Sequence, residues 1–383
     1  MRSSAPRIYL SAGEASGDIH AAALAEALRE ACPEAVLEGM GGPAMAASGV
    51  RLFATIDRCQ AAGLVELLGS VPTHWRLLKE AEKRLVERGY DLAVLVDYPG
   101  FHLRLLRAAI ARGIPVLYYI APQLWAWGSW RAKILRSPLV KIASILPFEP
   151  GELGRLGLQA QFVGHPLLDR PAPPTREVAR KELGLGSRGP VIALLPGSRP
   201  AEIKRIWPAM RDAAQRLRRR HPGAEVVVAG LGEHRYPGSE GFCVRRDEVA
   251  TVLAAADAAL CKAGTATLEA ALAGVPHAVV QRVHPVTYAV ARRVVRVPYI
   301  GLVNLVLEEA IVPELIQSGA RPEALERILE ILLDPGSPER ARQLEAFAML
   351  RPRLGTPGVA ARVAHIALKQ IGALATETQP AFS

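Results

Sequence analysis

The sequence predicts an α/β protein made of two doubly wound, parallel-sheet domains, and three observations point there. Short apolar runs at 8–10, 93–96, 116–120 and 142–146 alternate with longer Ala/Leu/Arg/Glu segments such as 21–30 and 103–112. Strands without polar alternation are buried on both faces, the mark of a parallel sheet covered by helices. The texture then breaks at 169–190 into D-R-P-A-P-P-T-R-E-V-A-R-K-E-L-G-L-G-S-R-G-P, and strand-like runs resume at 191–195, 226–229, 258–261 and 278–280. Finally, 383 residues suit two domains of roughly 100–200 residues each. The expected division is an N-terminal domain at 1–168, a linker at 169–189, a C-terminal domain at 190–355, and a helix and tail at 356–383 that packs back on the first domain.

Composition narrows the class. Half the residues are hydrophobic and 22% are charged, which excludes a disordered chain, and 33 Gly with 30 Pro are scattered rather than periodic, which excludes collagen. Cys32, Cys59, Cys243 and Cys261 lack C-x-x-C spacing and read as buried thiols in a reducing compartment. The amino end lacks the apolar core of a signal peptide, and no run reaches the roughly 18–20 apolar residues that span a bilayer. A cytoplasmic protein with, at most, peripheral membrane contact is expected. The surplus of 47 basic over 37 acidic residues, +10, calls for an anionic partner: nucleic acid, acidic lipid or a phosphorylated substrate.

Ligands of such sheets bind beyond the carboxyl ends of the strands, so those ends are read in order. After the first strand, Ser11-Ala-Gly13-Glu14-Ala-Ser16-Gly17-Asp18 is a small-residue turn that either presents backbone N–H groups to a ligand or simply caps a helix. The run at 93–96 ends in Asp97-Tyr98-Pro99-Gly100-Phe101-His102. Asp97 is placed either as a general base for a substrate hydroxyl or as a helix N-cap; His102 weighs toward a structural histidine. In the second half, Pro196-Gly197-Ser198-Arg199 combines close backbone approach, a hydroxyl and a guanidinium, a set suited to phosphate, unless Arg199 merely pairs with Glu202. Cys261-Lys262-Ala263-Gly264-Thr265-Ala266-Thr267-Leu268-Glu269 is a second strand–glycine–helix junction. Its N–H groups attract a diphosphate and Glu269, one turn on, can accept from ribose hydroxyls, the alternative being capping by Thr265. Two such junctions in one domain favour a nucleoside diphosphate.

Residues 63–89 place Trp75, Leu78, Leu85 and Val86 on one helical face with Arg76, Lys79, Lys83, Arg84 and Arg88 elsewhere, a pattern of either a membrane-surface helix or a core-packing one. Tyr118, Tyr119, Trp125, Trp127 and Trp130, followed by Arg131 and Lys133, stack on a sugar, face lipid or fill core. Basic runs at 216–220 and at Arg292-Arg293 read as solvated helix faces, with no nucleic-acid signature beside them. No histidine or cysteine spacing supports a metal site.

Taken in order, G-E-A-S-G-D at 13–18, G-L-V-E-L-L-G at 63–69, D-Y-P-G-F at 97–101, A-P-Q-L-W-A-W at 121–127, L-P-F-E at 146–149, F-V-G-H-P-L at 162–167, L-L-P-G-S-R at 194–199, G-T-A-T-L-E-A-A-L at 264–272 and N-x-x-x-E-x-x-x-x-P-E-L-I-Q at 304–317 resemble the lipid-A-disaccharide synthase family, inverting glycosyltransferases of the GT-B architecture. The resemblance implies two Rossmann-like domains facing across a cleft. It implies transfer of 2,3-diacylglucosamine from its UDP derivative to the 6-hydroxyl of 2,3-diacylglucosamine 1-phosphate (lipid X), giving UDP and a β-1,6 disaccharide without metal or other cofactor. On that basis Asp97 is the expected base; Arg199, Gly264, Thr265, Glu269, Asn304 and Gln317 are expected at UDP; and Glu14, Ser16, Gly17 and Asp18 are expected in the acceptor loop. Leu64, Leu67, Leu68, Val71 and Trp75 are expected to meet an anionic membrane. His102, Ala263, Gln281 and Val303 depart from the family's usual Asn, Ser, Tyr and Pro. Alternatives are another UDP-sugar transferase or epimerase of the same architecture, and a catalytically degenerate lipid-binding homologue, against which Asp97, Arg199 and Glu269 argue. Nucleic acid becomes the least favoured partner, and a homodimer stays open.

Overall fold

The computed structural model describes residues 5–55, 64–126, 128–186, 189–230, 232, 234–246, 248–295 and 297–372, without the side chains of 64–73. The chain forms two compact units that divide at Asp169/Arg170, and the chain from Leu354 onward belongs with the first.

The first unit runs β1 (Arg7–Ala12), α1 (Ala15–Ala31), β2 (Val36–Gly41), α2 (Pro43–Ala47), β3 (Arg51–Thr55), α3 (Leu64–Glu87), β4 (Leu92–Val96), α4 (Pro99–Ala111), β5 (Val116–Tyr119), α5 (Ala132–Leu135), β6 (Val140–Ser144), α6 (Glu149–Arg155) and β7 (Ala160–Phe162). Among the described residues its strands form one sheet in the order β3-β2-β1-β4-β5-β6-β7, with β1 parallel to both β2 and β4. Side chains alternate between two buried faces as the unbroken apolar runs require. Ile8, Leu10, Val94 and Val96 point to one core, with Ala21, Leu24, Ala25 and Leu28 of α1. Tyr9, Ala93 and Leu95 point to the other, with Leu77, Leu78, Ala81 and Leu85 of α3.

The second unit runs α7 (Arg176–Glu182), β8 (Val191–Leu195), α8 (Pro200–Arg220), β9 (Glu225–Gly230), β10 (Cys243–Arg246), α9 (Val249–Ala255), β11 (Ala258–Lys262), α10 (Thr265–Leu272), β12 (His277–Gln281), α11 (Pro285–Val294), α12 (Leu302–Leu307), β13 (Glu314–Ile316), α13 (Pro322–Leu333) and α14 (Pro338–Arg353). Its sheet has the order β10-β9-β8-β11-β12-β13 among the described residues, again with parallel neighbours. On α8, Ile203, Ile206, Met210, Ala213 and Leu217 recur at helical spacing and fill the core against α13.

Two details differ from the sequence expectation. Within the Pro/Gly-rich stretch, Thr175 caps α7 by accepting from the Val178 N–H at 3.4 Å, and Ala179 and Leu183 enter the core of the second unit. The i, i+4 apolar pair makes a docked helix where composition read as linker. The amphipathic segment forms one helix from Leu64, and its buried Leu78 and Leu85 pack on the sheet, leaving Trp75 and Val86 exposed. The last helix, α15 (Val359–Gln370), packs on α1 through Val359, Val363, Ala364, Ala367 and Leu368.

Candidate active site

In each sheet the strand order reverses at one point, between β1 and β4 in the first unit and between β8 and β11 in the second. The crevice beyond those carboxyl ends is where a doubly wound fold binds ligands.

In the first unit β4 is followed by Asp97 and Tyr98, both with positive φ, 52° and 49°. The left-handed region costs a non-glycine residue about 1–2 kcal/mol, so this turn persists because its surroundings impose it. The Asp97 N–H donates to the Tyr119 carbonyl at 2.9 Å. Its carbonyl accepts from the Tyr118 hydroxyl at 2.8 Å and from His102 Nδ1 at 2.7 Å, and His102 Nε2 meets Ser11 Oγ at 2.9 Å. His102 is fully buried and burial pushes its pKa down to about 4, so the ring is neutral. With its Nδ1–H donated to a carbonyl, Nε2 is the acceptor for the Ser11 hydroxyl. A buried chain from β1 through α4 therefore fixes the backbone of the half-buried Asp97. The N-cap position of α4 belongs to Tyr98, not Asp97. Gly13 is required here: a Cβ on it would lie 2.1 Å from the ring of Tyr98, whose hydroxyl meets His74 Nε2 at 2.8 Å.

Of the turn 14–18, Ser16 is exposed on the first turn of α1 and Gly17 is buried, while Glu14 holds the N-cap position without a side-chain cap bond. Asp18 departs from its expected place facing the acceptor. It is buried, Oδ1 accepts from the N–H groups of Gly42 at 2.7 Å and Met45 at 3.1 Å, and Oδ2 accepts from Ala44 at 2.9 Å. Both oxygens cap α2, so its carboxylate is structural.

Sequence reasoning gave no role to Glu149. Its buried carboxylate accepts from Ile145 and Leu146 N–H groups at 3.2 and 3.1 Å and from Trp125 Nε1 at 3.3 Å. Burial, helped by the negative charge of Asp97, raises its pKa to about 7. The motif L-P-F-E carried the signal, but the tie to Asp97 spans 52 positions and needs the fold.

In the second unit, Gly197 (φ 108°) turns the chain between β8 and α8; a Cβ there would come 2.9 Å from Glu202 Oε2. Glu202 binds Lys262 Nζ at 2.9 Å and lies 4.0 Å from Arg199. Lys262, the last residue of β11, was passed over in the sequence, yet it brings a second cation to the reversal point. Its ammonium lies 3.9 Å from where a Gly264 Cβ would be. Gly264 (φ 148°) occupies the N-cap of α10 with no side-chain cap, and Thr265 opens the helix. Arg199, Lys262 and the uncapped α10 terminus thus lie together at the carboxyl ends of β8 and β11, an arrangement chemically suited to an anion. Glu269, mostly buried on α10, pairs through Oε1 with Arg170 at 3.1 Å; burial raises its pKa while Arg170 opposes the shift.

Asn304 and Gln317 differ from their expected place against the nucleotide. Buried Asn304 donates to Val312 O at 2.8 Å and Glu314 Oε1 at 3.0 Å, and accepts from Ile311 and Val312 N–H groups at 3.0 and 2.8 Å. That satisfies both amide donors and both lone pairs. Gln317 accepts from Val283 N–H at 2.8 Å and donates to Val283 O at 3.1 Å. Asn304 thus fixes the connection from α12 to β13, and Gln317 ties the end of β13 to the loop beyond β12.

For the membrane-contact candidates, the side chains of Leu64, Leu67, Leu68 and Val71 lie outside the described residues, though their backbone belongs to α3. Trp75 is 54% exposed, with Lys79 Nζ 4.9 Å from its ring centroid. Of the aromatic cluster, Tyr118 and Tyr119 are core, Trp125 packs edge-on against Phe148, Trp127 lies outside the described residues, and Trp130 is 76% exposed. Among the described residues, no group of three or more His, Cys, Asp or Glu could hold a metal ion, and no helix is long and apolar enough to cross a membrane.

Comparison with known proteins bears on the family and the fold. The chain is 39% identical over 373 residues to the lipid-A-disaccharide synthase of Myxococcus xanthus, covering 95% of this chain and 97% of that one. Among solved structures, a putative UDP-N-acetylglucosamine 2-epimerase from Listeria monocytogenes superposes with a TM-score of 0.65 at 12% identity, over 94% of this chain and 95% of that one. Medicago truncatula UGT71G1, complexed with UDP-glucose, superposes at 0.58 and 14% identity, over 96% and 98%. These two establish the fold alone. The model of the family described as lipid-A-disaccharide synthetase matches residues 8–345, and the chain therefore belongs to the lipid-A-disaccharide synthase family.

Proposed function

We propose that this lipid-A-disaccharide synthase transfers 2,3-diacylglucosamine from its UDP derivative to the 6-hydroxyl of lipid X, with Asp97 as base. The observation that carries the reading is the strained turn after β4, where a carboxylate is held at the reversal point of the first sheet by a buried Ser11–His102–carbonyl chain. In the reaction, the acceptor oxygen attacks the anomeric carbon, the bond from that carbon to the diphosphate breaks, and the hydroxyl proton passes to Asp97. Attack from the face opposite the leaving group inverts the configuration, converting an α-linked donor into a β product. Arg199, Lys262 and the α10 terminus neutralise the departing diphosphate. Glu269, gripped at Oε1 by Arg170, receives the ribose hydroxyls on its other oxygen. Asn304 and Gln317 serve as positioning residues.

The same reading places the enzyme in the cytoplasm, peripherally on the inner membrane face, with the first half of α3 and Trp75 toward the acyl chains. Paired variants test it. Asp97→Ala abolishes disaccharide formation, followed by mass spectrometry, while UDP affinity stays near wild type; Glu269→Ala weakens UDP binding about tenfold, the loss of a charge-assisted hydrogen bond. Wild-type turnover in the first variant removes Asp97 as base, and unchanged affinity in the second removes the ribose contact.

A further inference from the structure

The α11 helix lies on a part of the second unit's described surface that neither the core nor the nucleotide reading uses. None of its residues is buried. Val286, Val290 and Val294, spaced one turn apart, are 65%, 55% and 44% exposed, and Val295, just past the helix in extended backbone, is 36% exposed. Valine is a mediocre helix former, so a stripe of three on a helix that buries nothing is not explained by the stability of the fold. The flank of the stripe is basic. Arg292 lies with its guanidinium 5.9 Å from the Tyr288 ring centroid, and Arg293 donates to the Ala289 carbonyl at 3.1 Å. Between Glu269 and Glu308 the sequence contains no acidic residue, while it holds Arg282, Arg292, Arg293 and Arg296.

An apolar stripe beside arginines, inside a segment 38 residues long without a negative charge, is the pattern of a helix lying in the headgroup region of an anionic bilayer. We infer that α11 is a lipid-docking element of the second unit: Val286, Val290 and Val294 enter the acyl boundary, and Arg292 and Arg293 engage anionic headgroups. The inference rests on the reading that this enzyme meets its acylated substrates at a membrane, but on a different helix from α3 and a different unit of the fold. A donor carrying two acyl chains must leave the bilayer to reach the Arg199–Lys262 junction, and a membrane contact on the same unit shortens that transfer.

The test is flotation of the full chain with vesicles of phosphatidylcholine alone or with about one-third phosphatidylglycerol, a surface that attracts each nearby arginine. The triple variant Val286→Ser/Val290→Ser/Val294→Ser is expected to lower partitioning onto the anionic vesicles about tenfold. Arg292→Ala/Arg293→Ala is expected to bring partitioning onto anionic vesicles down to the level seen with neutral ones. Both variants keep wild-type transfer on detergent-dispersed substrates, which shows an intact fold. Trp75→Ala, on α3, is measured beside them. Loss confined to Trp75→Ala overturns α11 as a contact while α3 stands. Wild-type protein that stays with neither vesicle overturns both. A valine variant that floats like wild type but changes from dimer to monomer in light scattering assigns the stripe to a second copy and overturns the lipid reading.

Discussion

At the scale of single residues, the site depends on neutral buried groups. The neutral His102 ring donates from Nδ1 to the Asp97 carbonyl and accepts the Ser11 hydroxyl on Nε2, and burial keeps the ring in this uncharged form above about pH 4. Replacing it should act on the chemical step: His102→Ala should lower kcat by about 10–100-fold, the cost of a misplaced reacting group, with KM nearly unchanged. His102→Asn, which keeps a short donor, should recover much of the loss. Equal loss in kcat and stability without rescue by asparagine would make His102 a packing residue only. Glu149 gives a pH dependence of stability whose sign is fixed by its raised pKa. The folded state favours the neutral carboxyl, so this contribution is complete below the unfolded value of 4.5 and is lost as pH rises toward about 7. It amounts to about 3 kcal/mol over that interval. Glu149→Gln should remove this slope, so the difference in urea midpoint between wild type and variant should shift in favour of the variant from pH 4.5 to 7. A difference that is flat with pH contradicts the assignment. Asp18 makes the opposite lesson: a carboxylate in a loop that resembles a ligand turn is fully used by three backbone N–H groups of α2.

At the scale of elements, the junctions decide. The β11–α10 junction supplies a lysine that the motif alone did not single out, because its pairing with Glu202 joins residues 60 positions apart. Lys262→Met should weaken UDP binding about tenfold, on the order of one charge-assisted contact, with the loss shrinking as salt rises; calorimetry at two ionic strengths reads both, and unchanged affinity would confine Lys262 to holding Glu202. Strands, the two sheets and the glycine junctions were legible because burial on both faces and turn chemistry are written locally in the sequence. Pairings across elements were not. The run R-L-R-R-R read as a solvated face, yet Arg216 reaches Glu326 at 2.7 Å and Glu323 at 3.2 Å, and Arg220 reaches Glu330 at 2.7 Å, tying α8 to α13. Asn304 and Gln317 were recognised as special, but only the fold shows that their amides close loops on Val312 and Val283. For α3 the sequence pattern left both a membrane and a core partner open, and the fold assigns Leu78 and Leu85 to the core while Trp75 and Val86 of the same stripe are exposed.

At the scale of the whole molecule, Arg216 and Arg220 of α8 are balanced by glutamates of α13 and add nothing to the surplus of +10, whereas the acid-free segment around α11 holds four arginines with no acidic residue among them. The chain also leaves the first unit at Asp169 and returns to it at Leu354. Val359, Val363 and Leu368 of α15 cover the apolar stripe of α1, a burial worth on the order of 5 kcal/mol, comparable to the whole stability of a domain. A chain ending at Arg353 should therefore lose the cooperative unfolding of the first unit, followed by near-ultraviolet circular dichroism, and keep UDP binding in the second. Full cooperativity in the shortened chain would show that α1 does not need α15. The same connectivity sets an order of events during synthesis. The second unit is contiguous and is complete once residue 353 emerges, whereas the first waits for its final helix although its strands are made first. The half that is translated earliest is thus the half that finishes folding last, and until α15 arrives its uncovered α1 stripe is the surface a chaperone would hold.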